Sequence, residues 1–124
     1  MRATLKAICD KAFYSQQGHL NIIGIFDVIH ASGFPATHPV MCLAFTLDNN
    51  SGRGYEYDYY IDITDSSGSK ILETPLTKMK MGENGRGNLI HELRNVTFGK
   101  DGIYSANLHI GDFKESIEFE VKKT

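Results

Sequence analysis

Between residues 55 and 64 the chain alternates. Tyr55, Tyr57, Tyr59, Ile61 and Ile63 take the odd positions, and Glu56, Asp58, Tyr60, Asp62 and Thr64 the even ones. That two-residue period belongs to a strand with one buried face and does not fit the 3.6-residue period of an amphipathic helix. The odd-numbered tyrosines share parity with Ile61 and Ile63 and are expected in the core, which leaves Glu56, Asp58 and Asp62 on a solvated face whose charges discourage edge-to-edge pairing. Asp65-Ser66-Ser67-Gly68 supplies turn chemistry, and Ile71-Leu72 opens a strand near enough to close a hairpin. The pattern returns at the C-terminus. Tyr104, Ala106, Leu108 and Ile110 alternate with Ser105, Asn107 and His109, Gly111-Asp112 turns, and Ile117, Phe119 and Val121 alternate with Glu118, Glu120 and Lys122.

Upstream, Met41, Leu43, Phe45 and Leu47 form one apolar face ahead of a polar loop from Asp48 to Gly54. Ala3, Leu5, Ala7 and Cys9 set against Thr4, Lys6, Ile8 and Asp10 predict a first strand. Leu20 to Ile29 is apolar on both faces apart from Asn21, Gly24 and Asp27, which predicts a central strand covered on both sides. Gly24 within it marks a bulge or a close backbone approach. No segment joins capping residues to a sustained helical period. The expected fold is all-β: an antiparallel β-sandwich, immunoglobulin-like or similar, of about seven to nine strands.

Composition narrows the function more than the fold. A chain of 124 residues, 41% hydrophobic and 23% charged, suits one soluble domain over residues 1–124. A formal charge of −2 offers no general attraction to phosphate backbones, so neither a nucleic-acid nor a membrane partner is expected. The N-terminal residues carry Arg2, Lys6, Asp10 and Lys11 in place of an apolar leader core, and no run is long enough to span a bilayer. Cytoplasm is the expected location. Cys9 and Cys42, each inside an apolar run, read as reduced core or near-core thiols.

Cys9-Asp10-x-Ala12, Gly18-x-Leu20-Asn21-x-x-Gly24-x-Phe26-Asp27, Phe34-Pro35-x-x-His38-Pro39 and Gly85-x-x-Asn88-Leu89 follow one another along nearly the whole chain. Their order and spacing resemble an uncharacterised bacterial family of short all-β proteins, catalogued only as a domain of unknown function. The resemblance implies a small cytoplasmic all-β protein and carries over no activity. The chain departs from expectation at His91, where parity with Leu89 and Leu93 asks for an apolar inward residue.

The chemistry-bearing residues form no recognised motif. His19, His30, His38, His91 and His109 lack the local pairing that announces zinc sites, and no metal or cofactor is expected. His109 reads as outward-facing, His19 as a loop residue and His91 as semi-buried and hydrogen-bonded. No G-x-S-x-G elbow is present, and Asp10 beside Cys9 works against a reactive thiolate. The glycine-rich stretch from Met81 to Asn88 lacks a lysine and leads into a strand, so it reads as a connection and not a phosphate cradle.

Phe34-Pro35-Ala36-Thr37-His38-Pro39 is the one chemically rich loop. Pro35 and Pro39 stiffen it and bias Phe34 and His38 toward extended backbone. Phe34 then either plugs the end of the sandwich or, with His38, is offered to a partner. The expected function is a non-catalytic protein-interaction or accessory module that recognises another protein through this loop (Phe34, Pro35, His38, Pro39) or through a sheet edge, with homo-oligomers also open. A carbohydrate- or metal-binding sandwich is the alternative, although the absence of Trp weakens sugar stacking. An enzyme comes third and would need His38, Asp10 and Asp27 to meet in one pocket.

Overall fold

The computed structural model describes residues 1–49, 51 and 54–124. Strands form where apolar residues alternate: β1 (Arg2–Tyr14), β2 (Leu20–Ile25), β3 (Val28–Ala31), β4 (Ala36–Asp48), β5 (Glu56–Thr64), β6 (Lys70–Glu73), β7 (Thr77–Lys80), β8 (Arg86–Phe98), β9 (Gly102–Ile110) and β10 (Phe113–Lys123). These are ten strands among the described residues, a little above the expected range, because short segments at the connections also pair. No helix among them is long and apolar enough to cross a membrane. One sheet has the order β2-β1-β4-β8, and the other β3-β10-β9-β5-β6 with β7 also on β5. Both expected hairpins, β5–β6 and β9–β10, are present and antiparallel. The β3–β10 pair is the exception to antiparallel pairing, being parallel.

The core lies between the sheets. β4 supplies Met41, Leu43, Phe45 and Leu47, all fully buried, against Tyr59, Ile61 and Ile63 of β5 and Ala106 and Leu108 of β9. At one end Phe98, Tyr104 and Phe119 form an aromatic cluster with ring centroids 4.9–5.9 Å apart, spacings typical of favourable edge-on and offset pairs.

A local break in β4 and β8 decides what this end presents. The ladder pairs His38 with Val96 and Val40 with Arg94 but skips Pro39 and Asn95. Pro39 has no N–H to contribute, and Asn95 opposite adopts a φ of 54°. Side-chain parity changes across the break. Met41, Leu43 and Phe45 are the inward residues after Pro39, whereas before it Ala36 packs on the core and Thr37 is exposed. The same change on β8 moves the inward set from Leu89 and Leu93 to Val96 and Phe98.

Several expectations need correction. Leu20 to Ile29 is not a central strand. It splits into β2, at the edge of the first sheet, and β3, at the edge of the second, because the chain changes sheets at Phe26-Asp27. Its two-sided apolarity is explained by Ile23 and Ile25, which stay 53% and 68% exposed. Gly24 does mark a close approach: its φ is 72°, and a Cβ there would collide with the Asp10 side chain. In β1 the core face is not Ala3, Leu5, Ala7 and Cys9. A register shift between Ala3 and Leu5 turns Ile8 inward and leaves Leu5 partly exposed.

Tyr55 precedes β5 and is 63% exposed, so only Tyr57 and Tyr59 of the odd tyrosines join the core. Nor is β5 an edge: β9 lies on one side and β6 and β7 on the other, and of its acidic face Glu56 and Asp58 are exposed while Asp62 is buried. The polar loop from Asp48 to Gly54 lies partly outside the described residues.

Phe119 is 2% exposed and closes the aromatic cluster. Phe119→Ala is expected to cost about 3–5 kcal/mol through lost burial and the cavity left behind. Urea unfolding of both proteins measures it.

Candidate functional site

The break at Pro39 and the end of β1 pairing together open a cleft at one end of the sandwich. β1 pairs with β4 only as far as Cys9 and Cys42, so Ala36 to Met41 pair with β8 alone. The β3–β4 connection crosses this gap between the sheets. A cleft of about 290 Å³ results, lined by Ile29, His30 and Ala31 of β3, Ser32, Gly33 and Pro35 of the connection, Ala36, Thr37 and His38 of β4, and Phe98. Its floor is apolar and its rim polar. His30 and His38, eight positions apart in sequence, come to the same cleft. The His38 ring packs against Phe26 with centroids 5.8 Å apart.

The loop residues divide in role. His38 and Pro35 line the cleft. Phe34 is half-buried and packs on the margin of the core, and Pro39 is exposed outside the cleft. Asp10 and Asp27 do not meet His38 there. Asp10 lies against Gly24, and Asp27 is exposed, with its backbone carbonyl accepting from the Glu120 N–H. The set His38, Asp10 and Asp27 therefore forms no common pocket. Among the described residues no three His, Cys, Asp or Glu side chains converge as metal ligands. The sequence shows His30 as one of five dispersed histidines and Thr37 as a member of the loop without giving either a role, and it carries no sign of Ser32, Gly33 or Phe98, since only the fold brings β3 beside the start of β4.

Two polar arrangements lie elsewhere. His91 faces inward between the sheets, and its Nδ1 lies 2.9 Å from the Tyr59 hydroxyl. Burial holds the imidazole below its ordinary range and pushes the Tyr59 phenol up. On the outer face of the second sheet, Asp62 accepts from Asn107 Nδ2 at 2.7 Å and from His109 Nε2 at 3.2 Å, with Lys70 Nζ 3.8 Å away. Ser116 donates to Asn107 Oδ1, and Tyr60 stacks on His109 at 4.4 Å. Every buried side-chain polar atom among the described residues has a partner, and this network ties β5, β9 and β10 together.

Residues 5–122 match the model of a family of unknown function, DUF6941. The chain belongs to this family. No curated protein matches it significantly. Among solved structures, the Pseudomonas fluorescens alkylpurine DNA glycosylase AlkC bound to DNA aligns with a TM-score of 0.56 at 16% identity over 77% of this chain and 27% of the glycosylase. A Listeria innocua beta-glucosidase in complex with glucose aligns at 0.54 and 10% identity over 78% of this chain and 15% of the enzyme. This chain thus spans a small part of either protein, and at such identities the likeness is one of fold alone. The cleft residues, 29–33, 35–38 and 98, fall within the matched region.

Two properties of this DUF6941 chain follow from its buried groups. Unfolding returns His91 to its ordinary range, so below about pH 6.5 the unfolded chain binds a proton that the folded chain resists, and stability falls with pH. His91→Gln keeps a partner for Tyr59 without the titration and is expected to lose less stability between about pH 7.5 and 5. Urea unfolding at each pH measures the difference. Cys9 and Cys42 face each other across β1 and β4 as free, buried thiols. Burial and then neighbouring Cys42 push the Cys9 thiol up to about 11. Mass spectrometry after iodoacetamide at about pH 8 should find Cys9 unlabelled in the native protein and alkylated in urea.

Proposed function

We propose that the chain is a non-catalytic interaction module of the cytoplasm that recognises another protein through the cleft between β3 and β4. The observation that carries this reading is the convergence of His30, Ser32, Thr37 and His38 around an apolar floor of Ile29, Ala31 and Phe98. The volume, about 290 Å³, sits at the lower limit of sites for drug-sized molecules and suits one protruding side chain. The accessible lining is mostly polar, with Ile29, Ala31 and Phe98 buried beneath it, so an anchor entering the cleft would combine a short apolar contact with hydrogen bonds at the rim. Pro35 and the Phe34 plug hold the rim in place before a partner arrives, which lowers the ordering cost of binding.

Gly33 offers a direct test. It lines the cleft with an ordinary backbone conformation, and nothing lies within 4 Å of a Cβ placed there. Gly33→Trp should therefore fill the cleft without disturbing the fold. Partners captured on the tagged wild-type protein should be recovered roughly ten-fold less on Gly33→Trp and on His38→Ala, the loss expected when an anchor is removed. Equal recovery on both variants, with unchanged thermal unfolding, would show that this cleft is not the recognition site.

A further inference from the structure

We infer that β3 is a strand-addition edge: an extended polypeptide segment pairs with its open side while one of its side chains enters the cleft. This rests on the cleft being a recognition site and names the mode of recognition and the chemistry of the partner. In a parallel ladder, alternate residues of a strand turn their backbone groups toward the neighbour. The Asp27 carbonyl accepts from the Glu120 N–H and the Ala31 carbonyl from the Thr124 N–H, with Val28, Ile29 and His30 in register with Glu120, Val121 and Lys122. Asp27, Ile29 and Ala31 therefore face β10, and the N–H and C=O groups of Val28 and His30 face the other way. Among the described residues no strand pairs with that side.

The other sheet edges carry features that discourage pairing. β8 bears Arg86, Glu92 and Arg94, while β6 and β7 bear Lys70, Glu73, Lys78 and Lys80. β2 is interrupted by Gly24 at a φ of 72°. The β3 sequence, Val28-Ile29-His30-Ala31, contains no lysine, carboxylate or proline. It is also the edge that runs along the cleft: Ile29 and Ala31 turn inward and are buried there, and His30 between them borders the rim from the outer face. An added strand would alternate its side chains between the cleft and the outer face. On the outer face it would meet His30 beside exposed Lys122 at one end of β3 and Val28 beside Glu120 at the other, so an acidic side chain is favoured at the His30 end. The partner is therefore an extended segment with an apolar residue directly next to Asp or Glu, its backbone giving affinity and these two side chains giving selectivity.

Proline at position 30 separates backbone from side chain. The His30 N–H is not used by β10, so His30→Pro removes an outward donor and leaves the β3–β10 ladder intact. The probe is a displayed library of random decapeptides panned on the wild-type protein. Enriched peptides should carry the apolar-acidic pair and bind His30→Pro roughly ten-fold more weakly than His30→Ala, which loses the same side chain but keeps the outward N–H. Lys122→Glu should weaken the same peptides. A synthetic peptide N-methylated at alternate amides needs no folded variant, and one of its two methylation registers should abolish binding to the wild-type protein. The inference is overturned if no peptide is enriched, if enriched peptides bind His30→Pro as tightly as wild type, or if neither methylation register matters. Loss of binding on Gly33→Trp and His38→Ala with His30→Pro unaffected would keep the cleft as the site and discard strand addition. Insensitivity to all three variants would discard both.

Discussion

Pairing between β1 and β4 ends at Cys9 and Cys42 although both strands run on, and the geometry of the cleft end depends on that early separation. Upstream of it in β4, Ala36 to Met41 keep β8 as a neighbour and lose the other. β1 continues instead with β2, whose residues Leu20 to Ile25 pair with Tyr14 to Cys9. If β1 had stayed on β4 to its end, the space beside His38 would be occupied by main chain. What fills it now is the Phe26 ring on one side and solvent on the other. The two cysteines at the point of separation are buried on the side of the sheet away from the inter-sheet core.

The second constraint is Pro39. A proline within a ladder removes a hydrogen bond, and here the lost bond is accompanied by a change of side-chain parity on both strands of the pair. Without that change, Ala36 would turn outward and Thr37 inward, and the core would lose its end cap, because Val96 and Phe98 would also turn outward. The aromatic cluster of Phe98, Tyr104 and Phe119 stands directly behind the cleft and gives the loop a rigid backing. The cleft wall is therefore set by packed rings and not by loop length, which is the arrangement that lets a small site hold its shape without a ligand.

Much of this fold could be read from alternation alone. β4, β5, β9 and β10 have one clearly apolar face, and each lies where its pattern predicts because a one-residue slip would expose a whole row of side chains. Alternation failed where the chain changes sheets or shifts parity. The Leu20–Ile29 run looks continuous because the turn at Phe26-Asp27 uses an apolar and an acidic residue in place of Gly or Pro. Ile8 was hidden by the shift after Ala3, since parity arguments assume an uninterrupted ladder. Asp62 was misplaced for another reason: periodicity assigns it a face, but its burial comes from Asn107, His109 and Lys70 on other strands. The candidate loop was visible as a concentration of Phe, Pro and His, whereas its partners His30 and Phe98 were not, because contacts between strands distant in sequence leave no local pattern.

The two inward or buried polar groups bear on the proposal that the β3–β4 cleft serves recognition. An uncompensated polar group in a core costs about 1–3 kcal/mol, and a charged one more, so such groups persist either because they are fully paired or because they are used. His91 has Tyr59, and Asp62 has Asn107 and His109 with Lys70 nearby; both are paired, and both join elements across the sandwich or along a sheet. The rim of the β3–β4 cleft is different in kind. Neither His30 nor His38 has a side-chain hydrogen-bond partner among the described residues, yet they sit beside an apolar floor and an unpaired strand edge. Groups that the fold itself does not satisfy, held on a rigid frame, are the ones available to another molecule.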